Sequence, residues 1–202
     1  MTLIQLFSFD VVGSAAFKSN SPADQDTPCW LSAFQSFFET IPLIFTAEIA
    51  HTFFEEEDEI PEVPVWKAIG DELVFIAYPQ HDHAVHLLTK AFSRSMRKAD
   101  EHFKANSGLR IHGSTWSFEE GSRNLAIRFR ELESDSTHVM DLIGPDVDLG
   151  FRLVTHAKPG RVLVPRCHLT RLNLDDVTVE PIGEATLKGI QSEPYPLLEL
   201  TC

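Results

Sequence analysis

The sequence has little of what would place it across or outside a membrane. No apolar run approaches the roughly 20 residues that span a bilayer, because Pro42 and Glu48 interrupt the best candidate, "IPLIFTAEIA" (41–50). The amino-terminal "MTLIQLFSFD" has neither a basic segment nor a small-residue cleavage site, so no secretory signal is expected. Cysteine is scarce: Cys29, Cys167 and Cys202 are scattered and odd in number, which argues for reduced thiols in a cytoplasm rather than a disulfide framework. Positive charge is short as well. Lys and Arg total 17 against 30 Asp and Glu, a formal net charge of -13, which excludes an extended basic surface for nucleic acid. An anionic small ligand stays possible, since a few placed cations and a bound metal reverse the field locally. No internal repeat is visible.

What is present suits one globular domain over residues 1–202, with 43% hydrophobic residues for its core. "EEEDEIPEVP" (55–64) reads as a solvated acidic loop, and "KSNSPADQDTP" (18–28) as a polar loop ending in a helix start with Pro28 in the first turn. Trp30, Leu31, Phe34, Phe37, Phe38 and Ile41 then recur at helical spacing. "VPVWKAIG" and "ELVFIAYP" are strands about a Gly70-Asp71 turn, and residues 81–106 form a long amphipathic helix. "LRIHGSTWSF" and "NLAIRFREL" are strands, and "DVDLGFRLVTHA" is a helix stopped by Lys158-Pro159-Gly160. Short strands follow at "RVLVP", "VTVEPI", "ATLKG" and "YPLLEL". The β-α-β-β-α-β order with carboxy-terminal strand additions predicts a ferredoxin-like α+β sandwich.

The stretch "LFSFDVVGSAAF" (6–17) ends an apolar strand on Asp10 and continues with almost no side chain through Gly13-Ser14-Ala15-Ala16. A carboxylate beside a bare backbone suits a metal ion and a phosphate, because hard cations take oxygen ligands and free N–H groups hold anions.

Four segments, taken together, resemble the catalytic domain of the class III nucleotidyl cyclases. They are "FDVVGSAAF" (9–17), "KAIGDELVF" (67–75), "DLIGPDVDLGFRL" (141–153) with "HAKPGRVLV" (156–164), and "GEATLKGI" (183–190). The resemblance implies that Asp10 and Asp71, with Val11, hold two divalent cations, Mn2+ or Mg2+. It implies that the backbone of Gly13, Ser14 and Ala15 holds the polyphosphate. Arg152 stands at the family's arginine position, and Lys188 is a second phosphate contact. Lys67 and Asp141 stand at the base-reading positions. The expected reaction is attack of the ribose 3′ oxygen on the α-phosphorus with loss of pyrophosphate. The family layout also implies a head-to-tail homodimer, with the metal carboxylates of one subunit completing a site with the base-reading and arginine positions of the other.

One departure from the family stands out. Asp148 occupies the position, four residues before Arg152, where the family has an asparagine that orients the ribose. A carboxylate cannot donate an amide hydrogen bond and repels phosphate, so Asp148 should pair with a cation or turn away. The compact chain, "IGDELVF" and this altered position resemble the bacterial pyrimidine cyclases of the Pycsar antiphage systems. That likeness implies UTP, or CTP, as substrate, cyclic UMP or cyclic CMP as product, and a separate effector that responds to it. The edge chemistry of Lys67 and Asp141 opposes UTP, because adenine and cytosine present the amino-donor and ring-acceptor order that such a pair reads, and uracil reverses it. An adenylate cyclase and a catalytically silent nucleotide-binding module therefore remain alternatives. "HDHAVH" (81–86) is read as the cap and exposed lining of the long helix rather than a transition-metal site, and "HGST" (112–115) as core strand rather than a hydrolase motif.

Overall fold

Strand β1 (Leu3–Val11) lies within a seven-stranded sheet and is buried from Ile4 through Phe9, so it reads as a nearly unbroken apolar run. In this computed structural model, residues 2–20, 28–130, 137–190 and 193–202 are described. The chain continues through α1 (Ser14–Ser19), α2 (Cys29–Glu55), β2 (Val65–Ile69), β3 (Glu72–Ala77), α3 (Asp82–Asn106) and β4 (Ile111–Glu119). Next come β5 (Leu125–Arg130), β6 (Thr137–Ile143), α4 (Pro145–Val154), β7 (Val162–Val164), a 3-10 turn at Arg166–Arg171, β8 (Thr178–Ala185) and β9 (Tyr195–Thr201). The large sheet runs β2-β3-β1-β4-β7-β9-β8, and β5 and β6 form a separate antiparallel hairpin. The mixed α+β class expected from the sequence is the one observed.

Side-chain alternation divides the sheet into two faces. Phe7, Phe9 and Val11 pack with α2 and α3 in the main core, while Ile4, Leu6, Val74, Ile76 and Trp116 pack beside α4. A close approach brings α4 down: Gly150 lies against the Trp116 ring, and a Cβ there would come within 2.0 Å of it. Ser114 Oγ donates to the Gly150 carbonyl at 3.0 Å and fixes the contact.

Several elements differ from the sequence reading. The α2 helix runs unbroken through Pro42. Ile41, Phe45, Ile49 and Phe53, one turn apart, are each at most 3% exposed; their burial outweighs the roughly 3 kcal/mol that an internal proline costs. Glu48, on the same helix, is bridged by Lys98 of α3. Pro28 caps α2 rather than occupying its first turn; Asp26 and Thr27 lie outside the described residues. "ATLKG" (185–189) is not a strand beyond Ala185, since β8 ends there and the chain turns. The β6 strand was not legible in the sequence; it pairs with β5 from Leu125↔Ile143 to Arg130↔Thr137. Residues 131–132 of the "NLAIRFREL" segment lie outside the described residues. Among the described residues no helix is long and apolar enough to cross a membrane.

Candidate active site

One end of β1 gathers the acidic groups. Asp10 is opposite Glu72 of β3 on one side and His112 of β4 on the other, so the three form a row across the sheet on its α4 face. Asp71 immediately precedes Glu72, in the turn where Gly70 adopts φ +67°. Asp71 is thus one residue from the strand partner of Asp10, although the two acids are far apart in sequence. Glu72 feels both: burial, with the charges of Asp10 and Asp71 added, pushes its carboxyl up to about 7, against a hydrogen bond from Ser8. His112 donates from Nδ1 to the Ala157 carbonyl at 2.6 Å, and its Nε2 pairs with Asp10 Oδ2 at 3.0 Å, donating there when the ring is protonated. Burial would lower its pKa, but the bonds to Asp10 and Ala157 outweigh burial and hold the imidazole above its ordinary value. Neither Glu72 nor His112 was singled out as a site residue in the sequence; the one signal was a polar side chain in a run otherwise fit for the core.

Past Val11 the chain leaves the strand at Gly13, which caps α1 in the left-handed region at φ +67°. The segment Ser14–Ala16 is therefore the first turn of a short helix rather than an extended bare backbone. Its amides precede the first closing bond, from Phe17 N–H to the Gly13 carbonyl at 3.0 Å, so they have no partner within the helix. Val11 is 2% exposed, which leaves its main-chain carbonyl as its only possible oxygen donor.

The donor set fits a divalent cation. Asp10 and Asp71 are carboxylates whose charges both act on Glu72, a carboxyl that burial keeps from ionising easily, and oxygen donors of this kind suit a hard cation. Among the described residues no group of three or more His, Cys, Asp or Glu side chains is arranged to hold a metal alone. Carbonyl, water or triphosphate oxygens would have to complete the coordination, as is usual for Mg2+ held by one or two carboxylates.

The base-side residues make contacts of their own. Lys67 on β2 pairs with Asp141 on β6 at 2.6 Å, and the ammonium holds that carboxyl below the usual carboxylate range. A register shift in β2 between Val65 and Lys67 turns Trp66 and Lys67 toward the same face. The Lys67 ammonium sits over the Trp66 ring, 3.9 Å from its centroid. Asp148 stands in the first turn of α4 and Arg152 in its last, both exposed. Lys188 is exposed in the turn after β8, at the far edge of the sheet from β2. No hydrogen bond or ion pair among the described residues joins Lys67, Asp141, Asp148, Arg152 or Lys188 to Asp10 or Asp71. The carboxylate row, and the Lys67–Asp141 pair with α4, are taken as two half-sites that no bond joins directly among these residues.

Two histidines at the start of α3 make structural contacts. His81 caps α3 by accepting from Ala84 N–H at 3.1 Å, but His86 is buried at 3% exposure, bonded to Asp176, and not part of an exposed lining as the sequence suggested.

No family model matches this chain, and no curated protein matches it. Solved structures do. The adenylyl cyclase CyaB from P. aeruginosa superposes with a TM-score of 0.67 at 13% identity, covering 100% of this chain and 94% of that one. This chain has the adenylyl and guanylyl cyclase fold. The guanylate cyclase domain of RhGC from Catenaria anguillulae, solved in complex with GTP, superposes at 0.66 with 14% identity, covering 100% of this chain and 97% of that one. Adenylate cyclases from Trypanosoma brucei in their monomeric state superpose at 0.60 with 16% identity, covering 98% of this chain and 89% of that one. Within this cyclase fold the two half-sites are the features that bear on chemistry.

Proposed function

We propose that residues 1–202 are a nucleotidyl cyclase catalytic domain that converts UTP to 3′,5′-cyclic UMP, or CTP to cyclic CMP, with release of pyrophosphate. The observation that carries this reading is the pairing of Asp10 with Glu72, the residue after Asp71, at the end of β1 that leads into α1. Asp10, Asp71 and the Val11 carbonyl would hold two divalent cations, Mn2+ or Mg2+. Such ions supply charge neutralisation on the triphosphate and a lowered pKa for the ribose 3′-hydroxyl when bound. The amides of Gly13, Ser14 and Ala15 would hold the polyphosphate, and Arg152 and Lys188 from a partner subunit would stabilise charge that develops as pyrophosphate leaves. The 3′ oxygen attacks the α-phosphorus, the bond to the β-phosphate oxygen breaks in line, and pyrophosphate departs.

A homodimer in which each catalytic centre draws on both chains follows from the family layout that the resemblance implies. One solved relative, from the aquatic fungus Blastocladiella emersonii, is a dimeric guanylyl cyclase domain, described as non-canonical, at a TM-score of 0.61. The pyrimidine substrate and a place in a Pycsar-type antiphage response, with a separate cyclic-nucleotide-sensing effector, rest on the resemblance of "IGDELVF" and Asp148 to those enzymes. A second reading, an adenylate cyclase, is favoured by the Lys67–Asp141 pair, whose donor and acceptor match adenine as well as cytosine. The deciding experiment incubates the protein with Mn2+ and an equimolar mixture of ATP, GTP, CTP and UTP and identifies the product by mass spectrometry. Cyclic UMP or cyclic CMP is expected. Cyclic AMP establishes the second reading, and binding without any product leaves a silent module.

A further inference from the structure

We infer that His112 is a positioning residue for the cation site: it orients the Asp10 carboxylate so that one oxygen is committed to the protein and the other is left for metal. This rests on the metal reading of Asp10 above. The geometry points to it in three ways. First, Asp10 lies directly opposite His112 on β4, so the contact follows from strand register rather than from a chance side-chain conformation. Second, the imidazole is held at both ends. Its Nδ1 donates to the Ala157 carbonyl at 2.6 Å, its Nε2 lies 3.0 Å from Asp10 Oδ2, and its side chain is only 7% exposed. A ring fixed at two points gives its acceptor one direction. Third, the Asp10 side chain is the more exposed partner at 22%, and the ring engages its Oδ2, so Oδ1 is the oxygen assigned to the ion. Hydrogen-bond partners of metal-binding side chains set ligand direction and basicity, and their loss typically costs about 10- to 100-fold in metal affinity or activity.

The anchor also has a structural consequence. Ala157 follows α4, the helix that carries Asp148 and Arg152. His112 therefore ties the carboxylate row on β1 to the segment leaving the helix of the other half-site. The adjacent backbone is pinned by Gly160 N–H to the Ile111 carbonyl at 2.7 Å and Gly113 N–H to the Arg161 carbonyl at 3.2 Å.

Two conservative variants separate the bonds. In His112→Gln the side-chain amide reaches the Nε2 position and keeps a donor toward Asp10. In His112→Asn the shorter amide sits near Nδ1, keeps the Ala157 contact and drops the one to Asp10. Binding of Mn2+ alone is read from the electron paramagnetic resonance signal of the free ion, with thermal unfolding recorded for every variant. The expected result is that His112→Asn weakens Mn2+ binding by about 10-fold or more while His112→Gln stays within a few-fold of the unchanged protein. Equal binding by all three proteins, or loss in both variants alike, overturns the inference. Asp10→Ala is the control that keeps the two claims apart. If Asp10→Ala binds Mn2+ as the unchanged protein does, the metal reading of Asp10 fails, and the inference about His112 falls with it.

Discussion

Asp148 and Arg152 lie one turn apart on an exposed face of α4, yet no ion pair joins them. An i,i+4 pair of this kind stabilises a helix by only about 0.2–0.5 kcal/mol when formed, so nothing holds either side chain back from a ligand. Since the Asp148 carboxylate makes no hydrogen bond or ion pair among the described residues, Asp148→Asn should leave stability unchanged and cyclase activity intact. Abolished turnover in a mass-spectrometric product assay would instead assign the acid a specific catalytic role. The simultaneous replacement Asp10→Ala and Asp71→Ala should eliminate turnover while the far-ultraviolet circular dichroism stays that of the unchanged protein. Both groups sit at a strand end rather than in the core, and their removal relieves like-charge crowding around Glu72.

His168 belongs to the same scale but to stability. It is fully buried, between the Thr89 hydroxyl at 2.9 Å and the Ser117 hydroxyl at 2.8 Å. Burial, aided by the charge of Arg171, pushes its pKa down to about 3 from an ordinary value of 6.5. Between those two values the unfolded chain binds a proton that the folded chain refuses. The contribution of His168 is therefore complete above about pH 6.5 and is lost progressively as pH falls toward about 3. Urea midpoints should decline through this window, and His168→Gln should shrink the decline.

Among the elements, α2 shows most clearly where tertiary packing overrides a local signal. Phe45 meets Phe7, Phe9, Phe75 and Phe92 with ring centroids 5.1 to 5.7 Å apart, in the tilted and edge-on arrangements that aromatic rings favour. Phe45→Ala should destabilise the protein by about 3–5 kcal/mol, read as a drop in the denaturant midpoint at unchanged slope. Without that cluster, Pro42 would be expected to end or kink the helix, and the sequence alone supports that expectation. The amphipathic α3 was legible because its apolar face repeats at helical spacing without interruption. The β6 strand was not legible, because its place comes from pairing with β5 and not from its own composition.

At the scale of the molecule, the two half-sites predict a shared catalytic centre. A chain carrying Asp10→Ala and Asp71→Ala, mixed with one carrying Arg152→Ala, should regain activity that neither has alone, because the mixed dimer assembles one intact site. A monomer with full activity in analytical ultracentrifugation and product assays would contradict the arrangement. Exposed Leu125, Ile127 and Ile143 on the β5–β6 hairpin leave an apolar surface of the kind that interfaces between subunits cover.

The sequence by itself determined the acidic character, the α+β class, the Gly70-Asp71 turn and which residue types stand at the candidate positions. These depend on composition, periodicity and turn chemistry, which act over a few residues. Only the tertiary structure decided that Asp10 meets His112 and Glu72, that Lys67 closes on Asp141, and that α2 passes through its proline. Each of those depends on strand register or long-range packing, where the energy comes from partners that the local sequence does not name.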